Sequence, residues 1–235
     1  MSMRSEKGRA IHKLSSEALE KGEYLEALIK TDEAMVVYQE EGDEAGFSEI
    51  MAMRLLVLNM FYDKSEFKGY LYLAKHAALA SLELAENSNQ IAQIALAHGA
   101  IGRVMIRLEE YKEAASHFGQ TVKILLENKT DHSRNSVIAD FKNHEATSRI
   151  LAGEETAETE ALAAINELQA SEDATPYEKD VWLSGAYMRL ASGMNKFDKL
   201  KAKEYLTKAD EIIFANKELV VRKEQIEIMR KKLGL

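Results

Sequence analysis

The chain has 235 residues, a single proline, no cysteine and a formal net charge of −8, with acids and bases interspersed. The lack of cysteine excludes a disulfide framework, thiolate-held zinc and thiol catalysis, and an acidic chain without a basic stripe argues against nucleic acid, whose phosphates must be neutralised. Met1 to Lys13 is polar with no apolar leader segment, and the longest near-continuous apolar run, Leu55 to Tyr62, is too short for a membrane span, so a soluble, cytoplasmic protein is expected.

Eleven helices are expected, at about 5–21, 23–40, 43–62, 66–86, 89–108, 111–128, 133–151, 154–169, 176–192, 198–214 and 216–233. Turn residues mark the breaks: Gly22, Gly42, Ser88 between two asparagines, Asn128 to Asp131, Gly153, and Thr175 before Pro176. No Pro/Gly/Ser-rich linker divides the chain, so one domain over 1–235 is expected.

Five alanines recur along it, Ala27, Ala74, Ala114, Ala157 and Ala202, at intervals of 47, 40, 43 and 45 residues. Seven residues after each comes a second small residue: Ala34, Ser81, Thr121, Ala164 and Ala209. Small residues seven apart share one helical face and let a neighbouring helix come close. Five such helices, each after another helix, predict an array of five helical hairpins at about 5–40, 43–86, 89–128, 133–169 and 176–214. The helix at 216–233 carries Leu219, Val220, Ile226, Met229 and Leu233 on one side, as a terminal cap with a polar outer face should. Arg222, Lys223, Arg230, Lys231 and Lys232 crowd this helix, and three of them lie in its last turns, where cations suit the dipole.

The third hairpin has the clearest pattern: Gly102, Met105, Leu108, Tyr111, Ala114, Phe118 and Thr121. This series resembles the tetratricopeptide repeat. The first hairpin repeats its core from Lys21 to Ala27, and Gly42 to Gly46 opens a longer form of the repeat, of about 40 residues. Ser15 and Leu55 stand where the family prefers a small, glycine-like residue, and Thr31 where a large aromatic is common. The resemblance implies an all-α, right-handed superhelical solenoid whose first helices line a concave groove for a peptide or helix. The family's clamp for an acidic C-terminus needs a Lys/Asn set, and His12 and Ser16 stand where that set would begin, so no such clamp is expected.

The repeat register puts Arg9 and His12, then Met53, Leu56, Asn59 and Met60, then Arg103 and Arg107, and finally Trp182 and Arg189 on the inner face. Met53, Leu56 and Met60 would form an adaptable apolar patch, with plain core packing as the alternative. Arg103 and Arg107, four apart, suit a carboxylate or phosphate, or pair with Glu109 or Glu110. Trp182 is a candidate anchor or a structural tryptophan.

The fourth hairpin departs from this pattern, because only Ala146 is apolar between Phe141 and Ile150. The register puts Lys142 and Glu145 at packed positions. A slip in register is the preferred account, with Glu145 and Arg149 as a surface pair, and a polar site built from Asp140, Asn143 and His144 is the alternative.

The six histidines show no metal-ligand spacing, and no phosphate loop or nucleophile elbow occurs. The expectation is a non-enzymatic scaffold without cofactor, binding a protein or peptide partner that carries an acidic or phosphorylated segment. The alternatives are a peptide sensor that compacts on binding and a self-assembling homodimer.

Overall fold

Turn chemistry sets where the helices stop. Gly22 and Gly42 take left-handed φ angles of 76° and 68° at hairpin corners, a conformation that costs other residues energy. Glu109 holds the same corner at φ 64° without being glycine. Helix starts are capped by side chains: Asp43 accepts from the Gly46 N–H, Asp198 from Leu200 and Lys201, and Thr175 and Glu178 cap each other's backbone around Pro176.

The structure is a computed structural model and describes residues 5–234. Its α-helices are α1 (Glu6–Glu20), α2 (Tyr24–Glu40), α3 (Glu44–Ser65), α4 (Gly69–Asn87), α5 (Ile91–Arg107), α6 (Tyr111–Glu127), α7 (Asn135–Leu151), α8 (Glu158–Ala170), α9 (Pro176–Met194), α10 (Lys199–Ala215) and α11 (Val220–Leu233). The described residues contain no strand. Two boundaries depart from expectation. α3 absorbs the start of the connection expected near 63–69, and a 3-10 turn, Glu155–Ala157, precedes α8.

The helices gather into two compact units, Met1–Glu109 and Glu110–Leu235. In the first, α1 to α5 pack in sequence as neighbours, and α3 also touches both α1 and α5. In the second, α6 to α11 do the same, with α9 also touching α7 and α11. All ten small residues of the repeat are buried, eight of them completely, as small residues on a packed helix face should be.

In the first unit Tyr38 fills a hole left by two glycines. A Cβ on Gly8 or Gly46 would stand 2.5 or 2.3 Å from its ring. The unusual Ser15 and Thr31 are fully buried and bonded: their hydroxyls meet at 2.8 Å, and both reach the Ala27 carbonyl. A buried hydroxyl costs little once it is satisfied, which explains why polar residues are tolerated there.

In the second unit Ala139, Ala146, Ile150, Leu190 and Met194 join one large core. Ile150 presses on Gly193, where a Cβ would lie 2.9 Å from it, so α7 and α9 meet almost backbone to backbone. Leu219, just before α11, and Ile226 within it are buried, as a cap requires, but Val220 is turned outward.

In α7 the packed positions fall one residue later than the register put them, at Asn143 and Ala146 in place of Lys142 and Glu145, which is a slip in register. Ala139, Asn143, Ala146 and Ile150 make a continuous buried stripe at helical spacing. Lys142 leans out to Glu167 of α8 at 2.7 Å. Glu145 lies half-buried against Gly119, and burial pushes its carboxyl above the usual range, only partly opposed by Arg149. Arg149 itself bonds to Glu154 and Glu160, so the simple Glu145–Arg149 surface pair is replaced by a wider cluster.

Candidate binding site

The positions read from sequence fall into two groups, one in each unit. In the first unit, Met53 packs against two apolar clusters, one around Val57 and one around Ile50, and so contributes to the core. Leu56 is exposed, Met60 is half-exposed, and Asn59 is buried with its Oδ1 unpartnered. The expected apolar patch therefore shrinks to Leu56 and Met60, because the neighbours on α3 turn inward. Arg107 is engaged within its own unit: it forms a double hydrogen bond with Asp63, at 2.6 and 3.1 Å, and lies over the Tyr62 ring. Its partner is Asp63 and neither Glu109 nor Glu110. Arg103 is exposed on α5.

Across α1 and α3, Arg9 and Glu49 pair at 3.7 Å, and His12 meets the hydroxyl of Tyr38 on α2 at 3.4 Å. Burial, above all, holds the His12 imidazole below the usual range. Two clefts of this unit, about 430 and 560 Å³, open elsewhere, one beside Tyr24, Ile29 and Phe61 and the other beside Asp43, Phe47 and Leu84.

The second unit brings more together. Trp182, Gly185 and Arg189 share one face of α9 at helical spacing. Trp182 is half-buried against the core, and the Arg134 guanidinium sits 5.4 Å from its ring centroid. Arg134 is itself held by the Asp173 carbonyl and by Glu178, both at 3.1 Å. Arg189 reaches across to α7, where Nε donates to Asn143 Oδ1 at 3.0 Å and Nη2 to Asp140 Oδ1 at 2.6 Å. His144 stands one turn beyond Asp140, with Nε2 3.7 Å from its Oδ2, and stacks on Phe118 at 4.7 Å. Asp140, Asn143 and His144, the polar alternative for the fourth hairpin, thus come together around Arg189. The close approach at Gly193, one turn further along α9, brings the two helices near enough for these bonds.

One member of this cluster was missed. Arg222 of α11 reaches α9, donating from Nη2 to the Val181 carbonyl at 3.2 Å. A signal was present, since Arg222 stands three residues after Leu219 and four before Ile226, on the packed side of the cap helix. Crowding with other basic residues concealed it: Arg230, Lys231 and Lys232 do occupy the last turn, whereas Arg222 lies in the first.

Among the described residues, no group of three or more histidines, aspartates and glutamates is arranged to hold a metal ion, and no helix is long and apolar enough to cross a membrane. No family model matches the sequence, and no curated protein matches it either. Solved structures share the fold. The crystal structure of BtubC (BKLC) from P. vanneervenii aligns over 87% of this chain and 79% of its own, at 15% identity and a TM-score of 0.66. The nearly identical TPR-like repeats of a putative kinesin light chain from Podosopora anserina align over 97% of this chain and 98% of theirs, at 12% identity and a TM-score of 0.59. A substituted form of the same repeats aligns over 98% of this chain and 99% of its own, at 12% identity and a TM-score of 0.60. The chain has the tetratricopeptide-like helical-repeat fold.

Proposed function

We propose that this chain is a non-enzymatic protein-interaction module that holds a peptide or helix of a partner protein against its first helices, α7 and α9 in the second unit. One observation carries the reading. Trp182 and Arg189 stand on one face of α9, partly open to solvent, and each is braced by neighbours instead of being consumed by the core. A side chain held in advance loses little entropy when a partner arrives, and tryptophan and arginine are enriched at binding hot spots. The fold supports the reading in kind, since stacked hairpins present extended, ordered faces. The absence of cysteine supports a cytoplasmic setting.

The test is random-peptide display on the whole chain, followed by titration of a selected peptide while tryptophan emission is recorded. Trp182 is the only tryptophan, so emission reports on α9 alone. A saturable change supports the proposal. Failure to select a peptide, or binding that leaves the emission unchanged, rejects it.

A second reading rests on a different surface. Phe214, Val220, Val221 and Ile228 of α10 and α11 are all more than half exposed, which favours self-association through the terminal helix. Sedimentation velocity at two protein concentrations separates this from a monomeric binder.

A further inference from the structure

Arg222 is a poorly compensated cation. It lies in the first turn of α11, the end of a helix where positive charge is disfavoured. Its hydrogen bonds go to neutral acceptors, the Val181 carbonyl and Gln225 Oε1. Among the described residues, no carboxylate oxygen lies within 4.0 Å of its guanidinium. A second guanidinium stands beside it: a Cβ on Gly185 would lie 3.0 Å from Arg222 Nη2 and 3.3 Å from Arg189 Nη1. Burial first, and the Arg189 charge next, hold Arg222 below the usual arginine range, while Asp140 and Tyr177 act in the opposite sense. The single carboxylate hydrogen-bonded in this cluster, Asp140, bonds to Nη2 of Arg189. Nη1 of Arg189 has no hydrogen-bond partner among the described residues and points into the same gap. Two guanidiniums with one carboxylate leave a local excess of one positive charge over a glycine whose missing Cβ makes way for them.

We propose that the gap between Arg189 and Arg222 over Gly185 is an oxyanion site, which takes a carboxylate or phosphoryl group carried on the bound segment. An oxyanion there would accept from Arg189 Nη1 and Arg222 Nη2 together and supply the missing counter-charge. Asp140 and Asn143 act as positioning residues, because they fix the plane of Arg189 and leave Nη1 facing the gap. Gly185 suits the site, since a Cβ there would stand 3.0 and 3.3 Å from the two guanidiniums and crowd them. The inference rests on the peptide-binding reading and specifies the chemistry of the ligand.

The test uses the full chain and two probes, inorganic phosphate and acetate, at constant ionic strength, while the side-chain Nε–Hε NMR signals of the arginines are followed. The signals of Arg189 and Arg222 should shift together and saturate, with those of Arg9 and of Arg54, which pairs with Asp32 in the first unit, staying in place. The probe that saturates at lower concentration identifies phosphoryl or carboxylate as the preferred source. Arg222→Gln and Gly185→Ala should each weaken binding by about tenfold or more, the loss expected for one charge-assisted hydrogen bond, and Lys208→Gln should not, because Lys208 stands on α10 over the Tyr187 and Tyr205 rings. Arg222→Gln gives up no ion pair, so it should fold at least as well as the parent without anion and lose only the thermal stabilisation that phosphate gives the parent. Equal drift of all arginine signals, or no saturation with either probe, overturns the site. The two readings fail separately: a selected peptide that binds without competition from either anion removes the oxyanion site alone, whereas anion saturation without any peptide binder removes the peptide reading alone.

Discussion

Nη2 of Arg189 donates to Oδ1 of Asp140 at 2.6 Å, joining α9 to α7 across 49 residues of sequence. Asp140 is buried and Arg189 keeps some contact with water, so the pair holds both a structural contact and the orientation of a surface-facing cation. Asp140→Asn should lower stability by about 2 kcal/mol, below the range for fully buried pairs because Arg189 remains solvated. The same change removes the counter-charge of Arg189 but keeps an amide oxygen that can hold its plane, so phosphate should stabilise the variant more than the parent. Thermal melts with and without phosphate check both signs.

Glu145 gives a pH signature. Its carboxyl is raised above the usual range by burial, so ionisation at neutral pH costs the folded state and no cost exists once the group is protonated in both states. Glu145→Gln should therefore raise the melting temperature at pH 7, by on the order of 2 °C, and the gain should fade as pH falls through the raised pKa towards the ordinary carboxylate range. A melting series against pH for both proteins measures this. A gain that grows on acidification would contradict it.

Tyr38 and Gly46 are packed so that one methyl group is too many, with the ring 2.3 Å from where a Cβ would stand. Gly46→Ala should cost about 1–3 kcal/mol through overpacking, although alanine favours helices. Denaturant unfolding of the variant gives the value.

Glu109 and Gly22 occupy the same corner of two hairpins, each after a helix and two residues before a tyrosine, and both are left-handed. A side chain pays about 1 kcal/mol there that glycine does not. Glu109→Gly should gain about 0.5 kcal/mol once the extra freedom of the unfolded chain is subtracted, measured by the same unfolding curves.

The helices and their small-residue faces were legible because packing repeats itself. Ala27 and Ala202 are 175 residues apart in sequence and meet the same requirement, a neighbouring backbone close by. Periodicity reports such requirements directly. The site was only partly legible. Trp182 and Arg189 could be placed on one face of α9 from spacing alone, but the partners that orient Arg189 come from another helix, and nothing local in Asp140 or Asn143 records that contact. In α7 the polar run looked like a broken stripe because Asn143 occupies a buried position whose amide donates to the Ala161 carbonyl at 3.2 Å. A pattern scored by apolarity cannot anticipate a polar residue satisfied by a tertiary bond. Arg107 shows the converse: its position on the helix was clear, and its commitment to Asp63 depended on a helix more than forty residues away.

The most direct measurement is amide hydrogen exchange on the whole chain with a display-selected peptide bound. Binding against the first helices predicts added protection concentrated in α7 and α9, around Asp140, Trp182 and Arg189. Protection confined to α8 and α10, with α7 and α9 unchanged, would place the binding surface on the second helices and contradict it.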